Sequence, residues 1–153
     1  MSYRCRQAVF GTQRSEEENH TTCTMSGIIH KPVLLEAVLT YLKPQREESY
    51  LDLTAGYGGH AAAVLKYTQA PAKATLVDRD KSAIEALTPL KELGAELLHT
   101  SFAGASQELR GQGRKYDMIL ADLGVSSLHL DTSERGFSFS LDGPLDMRMD
   151  QRG

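Results

Sequence analysis

The chain has 153 residues, 41% of them hydrophobic and 24% charged, the composition of one ordinary globular domain. Its most apolar short run, Ala61-Ala62-Ala63-Val64-Leu65, ends at Lys66, far short of the roughly 20 apolar residues of a membrane-spanning helix. A net charge of −3 offers no support for nucleic-acid binding through a broad basic surface and leaves room only for a local site.

Residues 1–24 differ from the rest. They hold few large apolar residues, show no periodicity, and include Glu16-Glu17-Glu18 and Asn19-His20-Thr21-Thr22. They lack the apolar core of a signal peptide, and the three glutamates argue against an organelle transit peptide despite Arg4, Arg6 and Arg14. A disordered N-terminal extension is expected over 1–24, with Met25 opening the first patterned segment. Both cysteines, Cys5 and Cys23, fall there; two thiols make no disulfide framework, so a reducing compartment, the cytoplasm, is expected. Cys5, His20, Cys23 and His30 match no zinc spacing, and no metal is expected.

Regular patterning starts near residue 30. Pro32 suits a first helical turn, and Leu34, Leu35, Val38, Leu39 and Leu42 share one helical face before Pro44 stops the run. Tyr50–Leu53 reads as a strand running into a glycine-rich turn, and His60–Tyr67 as a helix of small residues. Ala74–Val77 predicts a second strand, with Asp80 capping a helix that carries Ile84, Leu87, Leu90 and Leu93, is disturbed by Pro89 and stops at Gly94. Glu96–Leu98 predicts a third strand, Gly104–Leu109 a weak helix, and Tyr116–Leu120 a fourth strand ending at Ala121-Asp122. Strands alternating with helices predict an α/β, Rossmann-like fold, with a cofactor-binding domain over 25–130. Ligands of such sheets gather at the carboxyl ends of the strands, so the glycine turn, Asp78 and Asp122 are expected to converge.

The turn reads Asp52-Leu53-Thr54-Ala55-Gly56-Tyr57-Gly58-Gly59-His60-Ala61. Gly56-x-Gly58-x-x-Ala61 satisfies the dinucleotide fingerprint, and Asp78 lies 20 residues beyond Gly58, a spacing suited to a ribose hydroxyl. A tight turn alone would also explain the glycines, and Asp78 reads equally as part of a helix-entry cap with Asp80. Asp52 tilts the choice of ligand. A carboxylate beside the turn is awkward for the pyrophosphate of a nicotinamide cofactor and suits S-adenosylmethionine, which carries an ammonium and a sulfonium but no phosphate.

The stretch from Asp117 to Asp150 is the most distinctive. It runs Asp117-Met118-Ile119-Leu120-Ala121-Asp122-Leu123-Gly124-Val125-Ser126-Ser127, then Glu134-Arg135-Gly136-Phe137-Ser138-Phe139 and Asp142-Gly143-Pro144-Leu145-Asp146-Met147-Arg148-Met149-Asp150. With His30-Lys31-Pro32-Val33-Leu34-Leu35-Glu36-Ala37-Val38, Gly58-Gly59-His60 and Asp78-Arg79-Asp80, it closely resembles the small-subunit ribosomal RNA cytosine-N4 methyltransferases (the RsmH or MraW family) over about residues 28–153. The resemblance implies methyl transfer from S-adenosylmethionine to the exocyclic amine of a cytidine in the decoding region of 16S rRNA. It implies cofactor contacts at Gly58, Gly59, His60, Asp78, Phe102, Asp122 and His129. Phe102 would border the adenine, against the alternative of a core aromatic. At the last position the family commonly reads Ser-Ser-Pro-Gln where this sequence has Ser126-Ser127-Leu128-His129; histidine can still donate or accept a hydrogen bond.

A cytosine amine is a poor nucleophile, because its lone pair is delocalised into the ring. A site must align it and offer an acceptor for its proton. Asp122 is the candidate acceptor and equally a candidate cofactor ligand; His60 as the base is the weaker reading. Residues 131–153 read as a family-specific loop segment, with a short strand suggested by Leu145, Met147 and Met149 alternating with Asp146, Arg148 and Asp150. Arg135 and Arg148 suit RNA phosphates, although acids outnumber bases five to three from residue 131 onward. Family members continue well past residue 153, so the resemblance implies an N-terminal half, holding much of the cofactor pocket and lacking much of the RNA surface. A nicotinamide-dependent oxidoreductase would share the glycine turn and Asp78 but leave Asp52 and 122–150 unexplained, and a non-catalytic nucleotide-binding module would bind cofactor without methyl transfer.

Overall fold

The computed structural model describes residues 5–11, 32, 34–123 and 142. Five strands form one parallel sheet: β1 (Arg6–Gly11), β2 (Tyr50–Asp52), β3 (Ala74–Asp78), β4 (Glu96–His99) and β5 (Met118–Leu123), in the order β1-β5-β2-β3-β4. The helices among the described residues are α1 (Leu35–Leu42), α2 (Gly59–Thr68), α3 (Lys81–Ala86), α4 (Thr88–Glu92) and α5 (Phe102–Gly111), with a 3-10 turn over Pro71–Lys73. This is the expected α/β, Rossmann-like arrangement.

Alternation along the strands divides the core in two. Tyr50, Ala74, Leu76, Met118 and Leu120 point to one face, where they pack on Val38 and Leu42 of α1, Ala61 and Val64 of α2, and Leu87. Leu51 and Val77 point to the other face and meet Ala105 and Leu109 of α5, with Tyr116. Strand β2 lies between β5 and β3 and is buried along its whole length, Asp52 included. A polar cluster braces the amino ends of the strands. There Thr75 Oγ1 meets the Tyr116 hydroxyl at 2.8 Å, and Arg114 pairs with Glu96 at 2.8 Å across from it.

Several boundaries differ from the sequence expectation. The first helix begins at Leu35 rather than at Pro32, because Leu34 takes a left-handed conformation at φ 55° and breaks the turn before it. The long helix after Asp80 is two short ones meeting at Leu87, since Pro89 cannot supply the N–H that a continuous helix needs. The last helix is longer than expected, because Ser101 caps it by accepting the Gly104 N–H at 3.1 Å.

The larger correction concerns the N-terminal extension. Residues 6–11, expected to be disordered, form β1, paired in parallel with β5 from Arg6↔Met118 to Gly11↔Leu123. The physical reason lies in β5: its outer edge presents a row of backbone groups that favours pairing with any extended segment in reach. The Arg6 guanidinium anchors the start of the strand by donating to the Lys43 carbonyl at 3.0 Å and by pairing with Glu48.

The Arg6 N–H donates to the Asp117 carbonyl at 2.9 Å, so by parallel alternation the Ala8 N–H faces Ile119 and the Val9 N–H faces away from β5. Ala8→Pro is therefore expected to lower stability by about 1 kcal/mol or more, with Val9→Pro costing less. Urea denaturation followed by circular dichroism reads the difference; equal midpoints for the two variants would contradict the pairing.

Candidate functional site

The carboxyl ends of the strands carry three carboxylates. Asp52 closes β2, Asp78 closes β3, and Asp122 is the penultimate residue of β5. Each lies an even number of residues from Tyr50, Leu76 or Leu120, so all three belong to the face of the sheet that α2 covers. The convergence expected from the sequence is thus a consequence of register and alternation.

Hydrogen bonds join these ends to the glycine turn. Asp52 is 1% exposed. Its Oδ2 accepts the Tyr50 hydroxyl at 2.8 Å, and its Oδ1 accepts the Thr54 N–H at 3.1 Å. Thr54 Oγ1 in turn accepts the Asp122 N–H at 2.7 Å, and the Asp122 carboxylate lies 4.0 Å from Nδ1 of buried His60, the second residue of α2. A continuous polar chain therefore runs from Tyr50 through Asp52 and Thr54 to Asp122, with His60 beside its end.

Asp78 fastens the other side of the turn. Its Oδ2 accepts the Gly56 N–H at 2.8 Å and its Oδ1 the Asp80 N–H at 2.8 Å. The helix-entry cap itself is Asp80, which accepts the Ser82 N–H at 2.9 Å and the Ser82 hydroxyl at 2.8 Å. Two bonds leave the Asp78 carboxylate with further acceptor capacity for ligand hydroxyls.

The three glycines do different work. A Cβ on Gly58 would come within 2.9 Å of Leu87, and one on Gly59 within 2.5 Å of Pro32, so both are small because the protein itself packs against them. Gly56 has φ +52°, and among the described residues a Cβ there would meet only the Thr54 carbonyl, at 4.0 Å. Among those residues it is the place in the turn where a ligand can approach the backbone closely. Phe102, at the start of α5 after β4, is 51% exposed, which removes it from the core and leaves its ring free to border a planar ligand group. His129 and the segments around Arg135 and Leu145–Asp150 lie outside the described residues.

Sequence reasoning singled out Asp52, Asp78, Asp122 and His60 but missed Tyr50 and Thr54. The signal for Tyr50 was its place two residues before Asp52, on the same side of a strand; Thr54 carried no signal beyond its place in the turn. A shallow groove of about 540 Å³ near Lys43, Arg46 and Tyr67 lies by the amino end of β2 and contains none of these residues.

Electrostatics set Asp52 apart. Burial is the largest influence and pushes its carboxyl up to about 6, helped by the charge of Asp78 and opposed by the Tyr50 hydroxyl, His60 and the Thr54 N–H. The Tyr50 hydroxyl is raised well above its ordinary range by burial and by Asp52, so it remains a permanent donor.

The donor set fits S-adenosylmethionine. Acidic strand ends suit its ammonium and sulfonium, Asp78 its ribose hydroxyls, Phe102 its adenine, and the room that the described residues leave beside Gly56 its close approach to the backbone. A pyrophosphate finds the Gly56 N–H already given to Asp78 and three carboxylates nearby.

Fold and strand ends together define a Rossmann-like α/β domain with an acidic cluster at the carboxyl ends of its strands. A family model described as the MraW methylase family matches residues 27–153, and the chain belongs to that family. Its relatives include proteins named ribosomal RNA small subunit methyltransferase H. That of Lawsonia intracellularis is 45% identical over 128 residues, spanning 80% of this chain and 41% of the relative. Those of Rickettsia prowazekii and a Synechococcus strain are each 44% identical, spanning 81% and 79% of this chain and 40% and 42% of the relatives. The chain therefore spans about two fifths of the length of these relatives.

The Asp52 carboxyl titrates higher in the folded chain than the ordinary 3.8, so the native state binds the extra proton between about pH 4 and 6. Ionised Asp52 consequently costs stability above that window and nothing below it. Asp52→Asn, whose amide can donate to Tyr50 while its oxygen accepts from Thr54, is expected to stabilise the fold at pH 8 by on the order of 2–3 kcal/mol, with the gain gone by pH 4. Urea denaturation at the two pH values measures it.

Proposed function

We propose that this chain is the N-terminal, cofactor-binding part of an S-adenosylmethionine-dependent methyltransferase that N4-methylates a cytidine in the decoding region of 16S rRNA, within the small ribosomal subunit and in the cytoplasm. The observation that carries the reading is the acidic frame of the glycine turn, Asp52, Asp78 and Asp122 on one face of the sheet, in a chain of the MraW methylase family. The relatives' names supply the class of substrate.

When bound, the cofactor supplies an electrophilic methyl group on a good leaving group. The chain's own residues do the rest. Asp78 orients the ribose while keeping the turn in place through the Gly56 N–H. Phe102 offers a face to the adenine, and Gly58, Gly59 and His60 hold the start of α2 against the site. Asp122, half-exposed and fixed through its N–H by Thr54, is positioned to accept a proton from the cytidine amine or to hold the cofactor. His129 stands at the place the family uses for a further cofactor contact. An acceptor with a fixed backbone loses little entropy on docking the amine, which is where positioning accelerates the reaction.

Calorimetric titration of the chain with S-adenosylmethionine and separately with NADH tests the proposal. Saturable binding of the first, no binding of the second, and loss of binding in a folded Asp78→Ala variant are expected. Preference for NADH would overturn the methyltransferase reading. Cofactor binding with no methylation of small subunits by a chain extended to the length of its relatives would leave only a binding module.

A further inference from the structure

Tyr50 and Asp52 form a buried pair that the cofactor contacts carried over from the family do not use. Both side chains are fully enclosed, the hydroxyl donates to the carboxylate at 2.8 Å, and the pair sits beneath the glycine turn at the end of the central strand. A structural role alone explains it poorly, because an enclosed carboxylate costs stability whenever it is charged. A buried negative charge acts over a longer distance than an exposed one, since little water screens it. The carboxylate also accepts the Thr54 N–H, which ties the charge directly to the turn that Asp78 holds on its other side through the Gly56 N–H.

We propose that Tyr50 is a positioning residue whose hydroxyl keeps the Asp52 carboxylate charged and fixed beneath the turn, where it provides the electrostatic seat for a cationic cofactor. The inference rests on the S-adenosylmethionine reading above and adds a regulation to it: cofactor affinity follows the ionisation of Asp52.

The groups facing Asp52 are Tyr50 on its own strand, the Thr54 N–H in the turn, His60 from α2 and Asp78 from β3; Asp122 from β5 faces His60. Protonating Asp52 removes the negative charge below the ligand, so affinity falls as pH drops through the region near 6. The Tyr50 hydrogen bond favours the charged form. Removing it moves the fall to higher pH, which a purely structural role for Tyr50 would not do.

The test is the dissociation constant for S-adenosylmethionine between pH 5 and 8.5 in the wild-type chain, Tyr50→Phe and Asp52→Asn, with circular dichroism to confirm folding. The wild type is expected to bind progressively more weakly below about pH 6, and Tyr50→Phe to shift that midpoint upward by about one unit, since a hydrogen bond to a charged group is worth that much. The shift leaves affinity at pH 8 nearly unchanged and lowers it about fivefold at pH 6. Asp52→Asn is expected to bind weakly with a flat profile over the same range. The Asp52 carboxyl resonance, followed by carbon NMR in Tyr50→Phe and the wild type, gives the same shift without ligand. A wild-type profile retained in Asp52→Asn would assign the pH dependence to His60 and overturn the proposal alone. So would an unmoved midpoint in Tyr50→Phe. No binding at any pH would overturn the cofactor reading and the proposal with it.

Discussion

The site depends on a carboxylate taken out of water at the end of the central strand. Asp52 is tolerated there because each of its oxygens has a donor, the Tyr50 hydroxyl on one side and the Thr54 N–H on the other. Those two bonds also fix the start of the glycine turn. Thr54 then passes the constraint across the sheet to β5 through the Asp122 N–H, and Asp78 fixes the far side of the turn through the Gly56 N–H. Strands that are neighbours in the sheet but 68 residues apart in sequence are thus held in one register at their functional ends as well as along their ladders.

Such an arrangement trades stability for a preset charge distribution. The apolar half of the same face, from Met118 and Leu120 to Val38 and Val64, is packed as an ordinary core and supplies the stability that the carboxylates do not. Two glycines extend that packing into the turn, where Leu87 and Pro32 fill the space that side chains would occupy. The turn is accordingly held where the protein presses on Gly58 and Gly59, and among the described residues it leaves room beside Gly56. A loop held from three sides can present a ligand-binding surface with little reorganisation on binding.

Much of this was legible in the sequence. The alternation of apolar strands with helices gave the layers, and the strand-end positions of the glycine turn, Asp78 and Asp122 gave their meeting at one end of the sheet, because both follow from local pattern and from a general property of parallel sheets. The helix ends were harder, since Leu34 adopts a left-handed conformation that leucine rarely takes, and nothing in its neighbours announces it. Tyr50 read as a strand residue of good β propensity; that its hydroxyl would find Asp52 required knowing that β2 is enclosed on both faces. Strand β1 was illegible for a different reason. Arg6–Gly11 has little hydrophobic pattern of its own, and its extended form depends on the edge of β5 and on the contacts of Arg6 with Lys43 and Glu48, all distant in sequence.

The sign of the site also bears on how an RNA would meet this fold. Three carboxylates at the strand ends attract a small cationic ligand and repel a phosphate backbone, so the same surface serves cofactor and phosphates poorly together. A cytidine entering beside Asp122 would have to be presented base first, with its phosphates held away from Asp52 and Asp78. Selectivity for a flipped or single-stranded base would then follow from the electrostatics, because a base buried in a duplex could not reach Asp122 without bringing its backbone toward the acidic frame. On the proposed function, basic residues gripping an RNA would have to sit outside that frame, and the strand-end aspartates would act as both the seat of the cofactor and the barrier that admits only an extruded base.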